Sequence, residues 1–481
     1  MVSEFVREQK RYTEQELCYI LHCSETETLP LIRRLKEYGI LKAVKTSDLQ
    51  KNMSDLTDED IAIADVESDE NEYLYVFTFV GVVVIAGRVL KCYPKYLIED
   101  CAPKNELRQV LKVLEKYNSQ EQIVRMTNDT NESRSFNLLA IMLYLMHDYY
   151  ENGVYSTSEE IIESNGSGEI IWDRTINDTF TLISNNRPYY VDLQTKKRVN
   201  DEYGYFKRLH ECILTSVSKD LEDADLLSLF EITEIDLTDE QLDNFGEKDY
   251  VLYRIENELN TQFNTRKQLV LKTMYAYIAQ GHGLSDSDCL SLFGTNSFNL
   301  VWEKVCAEIM DNQLNTRLGT LKFPVSLRSE YNPNLKLIDL IEKPLWTMTQ
   351  KRANDTLVPD LISISETAHG YQFIIFDAKY YTPQLEKGVT PKAQPGIESV
   401  TKQYLYQLAY KKFITEHGFT TVKNCFLMPT EKESVVDKGE VSMEILNGLG
   451  LETIKVRFLP AKKAYDCYLD GNKMDLECLL L

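Results

Sequence analysis

Two apolar runs of strand length, each with an acid embedded where a core residue belongs, limit most sharply what this chain can fold into. They are Val358-Pro359-Asp360-Leu361-Ile362-Ser363-Ile364 and Phe373-Ile374-Ile375-Phe376-Asp377-Ala378-Lys379-Tyr380. The polar turn Ser365-Glu366-Thr367-Ala368-His369-Gly370 separates them. Apolar runs flanking a polar turn predict a β-hairpin. Lys379 follows Asp377 by two, so both side chains leave the same face of the second strand. Asp360 is expected beside them on the neighbouring strand. Two acids and a lysine inside apolar strands are costly unless something uses them. The usual users are a divalent cation and an anionic substrate.

The rest of the chain bounds the problem. Its 481 residues leave room for two to four domains. No apolar stretch reaches the ~18 residues of a membrane span, and the polar N-terminus does not read as a secretory signal, so a cytoplasmic location is expected. The ten cysteines show no CxxC or Cys/His cluster and read as reduced core thiols. A net charge of −22 argues against a general nucleic-acid binder. The charge is uneven, however. Between Asp48 and Glu72 ten acids face the single Lys51, whereas Phe373 to Cys425 carries seven lysines against four acids. A polyanion is therefore receivable locally, at one face.

In chain order, residues 1–47 are predicted to form a winged helix-turn-helix. Thr13 caps a first helix with Glu16 completing a capping box, and a second helix runs to Tyr38 with Gly39 as its stop. Arg33, Arg34 and Lys36 lie on the outer face of that second helix and are the candidate DNA contacts. A small protein-docking module is the structural alternative. Residues 48–72 read as an acidic solvated linker, with nucleic-acid mimicry as the less favoured alternative. Residues 73–257 are assigned to a central mixed α/β domain, a possible site of partner docking. It holds an apolar hairpin at 73–93, a nearly all-apolar helix at 136–152 and an aromatic, turn-rich stretch with Trp172 and Tyr189. His147 and His210 read as structural histidines. Residues 258–481 form the third domain. Its helix around Val301–Ile309 carries Glu303. After the hairpin, Ser399–Phe413 reads as an amphipathic helix with Leu405, Leu408 and Ala409 on the core face and Gln403, Gln407 and Lys411 opposite. A strand at Val422–Met428 follows. Helix, strand, strand, helix, strand gives a mixed α/β core, and the whole chain an α+β multidomain protein.

Phosphodiester hydrolysis needs an activated water and charge stabilisation on the phosphoryl oxygens. Asp360, Asp377 and the Ala378 carbonyl are the candidate ligands for Mg²⁺, with Mn²⁺ as the alternative ion. Lys379 would orient the water or stabilise developing charge. Glu303 and Gln403 complete the candidate catalytic set, and Gln407 and Lys411 join the candidate DNA contacts. The order Pro359-Asp360, then Asp377-Ala378-Lys379, between a helix bearing Glu303 and a helix bearing Gln403, resembles the PD-(D/E)xK nuclease superfamily. The alternative is a surface hairpin with an incidental Asp–Lys pair, which such apolar flanks disfavour.

A narrower resemblance covers most of the chain. Phe79-Val80-Gly81-Val82-Val83-Val84, Tyr93-Pro94-Lys95-Tyr96, the stretch Asp148 to Tyr155, Ile171 to Ile176, and Val301-Trp302-Glu303 resemble the LlaJI family of restriction endonucleases, which is related to McrC. The resemblance implies a restriction-endonuclease-like C-terminal core and a Mg²⁺-dependent DNA endonuclease of bacterial antiviral defence. It also implies a separate McrB-like AAA+ GTPase partner, with methyltransferases in the same system. The sequence contains no GxxxxGK[ST] phosphate loop, so a nucleotide motor would come from that partner. The hairpin at 73–93 is the expected place for motor contact. Two other functions stay open: a winged-helix DNA-binding or scaffold protein with an inactive nuclease-like domain, and a nuclease for another nucleic acid.

Overall fold

The computed structural model describes residues 1–45, 73–118, 137–156, 158–200, 204–281, 283–287, 289–367 and 370–481. The acidic stretch 48–72 and the turn residues Ala368 and His369 lie outside them. The chain is a mixed α+β, multidomain protein with several separate sheets. It divides into two compact units, each assembled from separate stretches. The larger comprises Val2–Val83, Arg88–Asn128 and Leu292–Leu481, and the smaller Met1, Val84–Gly87 and Asp129–Ser291.

In the larger unit, the N-terminal module follows from local chemistry. The Glu16 carboxylate accepts from the Thr13 N–H at 2.8 Å, and Thr13 Oγ1 accepts from the Glu16 N–H at 3.2 Å, which satisfies two otherwise orphaned donors at the start of helix Glu14–Leu21. Helix Glu25–Glu37 follows, and Gly39 ends it at φ +66°, where a side chain would be strained. Strand Leu41–Lys45 pairs antiparallel with Tyr73–Phe77, whose other neighbour is Arg11–Tyr12. Strand Val2–Arg7 runs parallel to Arg88–Tyr93.

The apolar arm at 73–85 is two strands rather than one, Tyr73–Phe77 and Val80–Ile85, broken at Thr78, whose N–H and hydroxyl both bond Ile40 and Gly39 carbonyls. Every side chain of Val80–Ile85 that has a Cβ is fully buried. Gly81 explains one close approach: a Cβ there would lie 2.0 Å from the Phe293 carbonyl oxygen. The expectation that this arm offers an exposed surface is corrected by its burial.

The C-terminal part of the larger unit is built from α1 (Phe298–Ile309), β1 (Leu361–Thr367), β2 (Gly370–Ala378), α2 (Ile397–Glu416), β3 (Thr421–Thr430), β4 (Val436–Val441), β5 (Ile454–Pro460) and α3 (Ala461–Asp470). The sheet order is β1-β2-β3-β5-β4. β1/β2 and β4/β5 are antiparallel, and β2/β3 and β3/β5 are parallel. β2 and β3 are central and therefore apolar almost throughout, as strands covered on both faces must be. Pro429 lies within β3, opposite Leu459, and does not end the strand.

α2 presents the opposite face from the one its leucines predict. Leu405 and Leu408 are 43% and 44% exposed, while Gln403 and Gln407 are 0% and 6% exposed. Tyr404, Tyr406, Tyr410 and Phe413 fill the inner face instead. Tyrosine bodies supply the buried area. The two glutamines supply hydrogen bonds to groups of the sheet and the segment before β5.

The smaller unit is mainly helical, with Leu138–Asn152, Tyr205–Asp223, Lys248–Thr261 and Thr265–Gln280 as its long helices. The expected single helical region after Glu258 is thus the end of one helix and the whole of the next. Arg266 holds the buried Asp148 with two hydrogen bonds, at 2.8 and 2.6 Å. His210 is buried, accepts the Tyr155 N–H at 2.9 Å, and is pushed down to about 4 by burial, so it stays neutral. A small β-rich section at 158–200 leaves Trp172, Phe180, Ile183, Tyr189 and Val191 exposed.

Candidate active site

The hairpin register places the embedded acids. Leu361 pairs with Phe376 and Ile362 with Ile375, so one further step sets Asp360 across from Asp377. The structure closes that step with side chains: Asp360 Oδ2 accepts the Ala378 N–H at 2.9 Å, and the Asp360 and Asp377 carboxyls hydrogen-bond each other. Lys379 Nζ lies 2.9 Å from Asp377 Oδ1. The Lys379 N–H extends the β2/β3 ladder by one bond, to the Leu427 carbonyl at 2.9 Å. The indole of Trp302, on α1, donates to the same carbonyl at 3.2 Å. Leu427 therefore ties the helix that carries Glu303 to the strand that carries Asp377.

The electrostatics are those of charges crowded in a dry place. Burial, the hydrogen bond to Asp377 and that carboxylate's charge push the Asp360 carboxyl far above the ordinary carboxylate range, against the pull of Lys379. Burial also raises Glu303, with Lys379 opposing and Asp377 adding to the rise. For Lys379 burial pulls downward, but the charge and hydrogen bond of Asp377 outweigh it and the ammonium is held more firmly than usual. Two facing carboxylates that cannot both ionise comfortably are a natural place for a cation.

Asn312, which the sequence did not single out, fixes the entry to β1. Its Nδ2 donates to the Asp360 carbonyl at 3.3 Å, and its Oδ1 accepts the N–H groups of Ile362 and Leu314, each at 3.0 Å. Its only sequence signal is its place just past α1, where small polar residues satisfy loose backbone groups.

The remaining predicted residues fall in three places. Gln403 sits under the active strand, with Nε2 donating to the Ile375 carbonyl at 2.8 Å, and its buried Oε1 has no partner among the described residues. Gln407 is not at the surface. Its Oε1 accepts from Asn424 Nδ2 at 2.7 Å and from the Glu452 N–H at 2.9 Å, so it is a packing residue and not placed to touch DNA. Lys411 is exposed, with its ammonium on the Leu449 carbonyl at 2.8 Å. Arg33 is exposed and Arg34 and Lys36 are half-buried on helix Glu25–Glu37, remote in sequence from the carboxylates.

Residues 79–459 match the model of the LlaJI restriction endonuclease family. The chain belongs to that family. It is 25% identical over 419 residues to the Type II restriction enzyme BsuMI component YdjA of Bacillus subtilis (strain 168), covering 84% of this chain and 83% of that protein. Among solved structures, it resembles a half-complex of Thermococcus gammatolerans McrB AAA+ hexamers with bound McrC. That match has a TM-score of 0.39 at 12% identity and covers 98% of this chain and 99% of that one. A cryo-EM structure of the McrBC complex from the same organism matches with a TM-score of 0.24 at 11% identity, over 58% of this chain and 80% of that one. Membership of a restriction endonuclease family makes this chain a nuclease component of a restriction system.

A divalent metal is the cofactor such a family implies. Among the described residues no group of three or more His, Cys, Asp and Glu side chains forms a ready cage. Asp360 and Asp377 do fit Mg²⁺, which is commonly held by one or two carboxylates and completes its shell with water and substrate oxygens. Among the described residues no helix is long and apolar enough to cross a membrane.

Proposed function

We propose that this chain is a Mg²⁺-dependent DNA endonuclease with a PD-(D/E)xK core formed by α1, β1, β2, α2 and β3. The observation that carries the proposal is the meeting of Asp360, Asp377 and Lys379 at the end of two adjoining buried strands. Asp360, Asp377 and the Ala378 carbonyl would hold the ion, which when bound supplies Lewis-acid stabilisation of the phosphoryl oxygens and lowers the pKa of a nearby water. Lys379 keeps its ammonium beside Asp377 and stabilises charge developing on the phosphate. Glu303, kept protonated more readily than usual by burial, is placed to exchange a proton at the edge of the site. Gln403 anchors α2 to β2 and offers its free carbonyl oxygen inward. The N-terminal module would act as a winged helix that meets DNA through Arg33, Arg34 and Lys36.

The chain would work with a separate McrB-like AAA+ GTPase. Two observations support this: the relative YdjA is named a component of its enzyme, and the sequence here holds no phosphate loop of its own. The exposed apolar side chains at Trp172, Phe180, Ile183 and Tyr189 in the central region are the proposed docking surface for it.

The test is a cleavage assay on duplex DNA with Mg²⁺, with and without the NTPase encoded beside this chain. Asp360→Ala, Asp377→Ala and Lys379→Ala are each expected to abolish cutting in a folded protein. Wild-type cutting by Asp377→Ala would sink the nuclease assignment. Failure to cut under any metal condition, with DNA binding lost on removal of residues 1–47, would favour a DNA-binding scaffold instead.

A further inference from the structure

A second buried polar cluster begins at the residue after Lys379. Tyr380 is buried, and its hydroxyl donates to the carboxylate of Glu8, which is itself buried just past strand Val2–Arg7. The same Glu8 Oε2 accepts the backbone N–H of Lys95 at 3.2 Å, and that N–H also lies 3.3 Å from the Tyr380 hydroxyl. The Lys95 ammonium sits 4.5 Å from the centre of the Tyr380 ring and donates to Gln9 Oε1 at 3.0 Å. Three stretches, more than eighty and nearly three hundred residues apart in sequence, thus converge on one carboxylate.

The cluster touches both elements that carry the acids. The Tyr380 ring packs on Phe298, the first residue of α1, at 5.2 Å between centroids, and edge-on to Tyr96 at 6.4 Å. The Tyr96 hydroxyl donates to that of Tyr465 on α3 at 3.2 Å, and Tyr465 stands edge-on to Trp302, the neighbour of Glu303. A carboxylate in such a place is expensive to bury. Stability alone would be served as well by an apolar residue of similar volume. What the carboxylate adds is direction. It fixes the Tyr380 hydroxyl and, through it, the peptide that follows Lys379. Lys379 is otherwise held by its own N–H on Leu427 and by its ammonium on Asp377.

We propose that Glu8 is a positioning residue of the active site, acting through the Tyr380 hydroxyl and the Lys95 amide to hold the backbone that aims Lys379. The proposal rests on the nuclease reading. It gives the Tyr93-Pro94-Lys95-Tyr96 segment and the N-terminal strand a role in catalysis, not only in packing.

The experiment uses the full-length chain with its co-encoded NTPase, Mg²⁺ and duplex DNA, at a temperature where every variant is folded. Tyr380→Phe removes one oxygen and keeps the ring. Together with Glu8→Ala it is expected to lower kcat about tenfold with KM for DNA essentially unchanged, the range that small misplacement of a catalytic group produces. Glu8→Gln keeps a carbonyl acceptor for both donors and is expected to retain most of the wild-type kcat. Wild-type kcat in folded Tyr380→Phe would overturn the proposal, and so would a Glu8→Gln protein as slow as Glu8→Ala. If Glu8→Ala does not fold, the isosteric Tyr380→Phe decides alone. Asp377→Ala in the same assay separates the two levels: cutting by that variant refutes the nuclease reading, whereas a dead Asp377→Ala beside a full-rate Tyr380→Phe refutes only the positioning role.

Discussion

Replacing Lys379 by Met tests whether the buried carboxylates wait for a cation. Methionine keeps the apolar stem of the lysine and removes only its charge. The ammonium lies 2.9 Å from Asp377 Oδ1, and the two side chains are 23% and 5% exposed. Removing one partner of a fully buried pair costs ~3–5 kcal/mol. Water reaches about a quarter of Lys379, so part of the lost attraction was already screened, and ~1–3 kcal/mol is the expected loss. The Asp360 carboxyl also loses the one cation that draws its proton affinity down. The remaining pair is then more receptive to Mg²⁺, not less. An ion at about a hundred times its dissociation constant contributes ~2.7 kcal/mol by linkage, comparable to what was lost. Urea unfolding followed with and without Mg²⁺ should therefore show a lower midpoint for Lys379→Met that Mg²⁺ restores, and a smaller Mg²⁺ effect on the wild type. Cleavage should still fall at least ~10²-fold, because the restored stability does not replace the lost donor. Equal midpoints for the two proteins in metal-free buffer, with no Mg²⁺ effect on either, would refute the reasoning.

Four other outcomes follow from the same geometry. Gln407→Ala leaves the Asn424 amide and the Glu452 N–H without their shared acceptor and should destabilise by ~1–3 kcal/mol in urea, with DNA affinity in a gel-shift assay unchanged. Leu405→Asp lies on the outer face of α2 and should change stability by no more than ~0.5 kcal/mol; a loss several times larger would place that face in a core. Gly81→Ala should cost at least ~2 kcal/mol in the same measurement, since φ is +140° and its methyl would meet the Phe293 carbonyl. Asp360 binds its proton more tightly folded than unfolded, so in metal-free buffer the folded state gains protons relative to the unfolded one. Stability should then fall as pH rises from the ordinary carboxylate value of ~4 through the raised folded value, and unfolding midpoints at pH 5 and pH 8 with and without Mg²⁺ would show the slope and its loss on metal binding.

The hairpin was legible because everything that sets it is local. Apolar residues flank each acid, a polar turn joins the runs, and a period of two puts Asp377 and Lys379 on one face. The capping box at Thr13 and Glu16 was legible for the same reason. The inner face of α2 was not. Leu405 and Leu408 read as core by hydrophobicity, but the interior is decided by what lies opposite. There the Ile375 carbonyl, Asn424 and the Glu452 N–H require polar partners, and Gln403 and Gln407 meet them while tyrosines fill the space. The boundaries of the two units were equally hidden. Nothing in Val2–Arg7 announces a pairing with Arg88–Tyr93, and nothing near Asp360 announces Asn312, because both depend on contacts the chain makes with itself far away.

The place of β3 has a consequence for how the protein is made. Synthesis from the N-terminus delivers Glu303, Asp360, Asp377 and Lys379 before Leu427, whose carbonyl receives both the Lys379 amide and the Trp302 indole. β3 in turn is an open edge until Ile454–Pro460 pairs with it. A nascent chain thus displays every acid and the lysine while lacking the strand that brings them to bear. An unfinished copy still on the ribosome, close to the host's own chromosome, is harmless by construction, and competence to cut arrives only with the last few dozen residues.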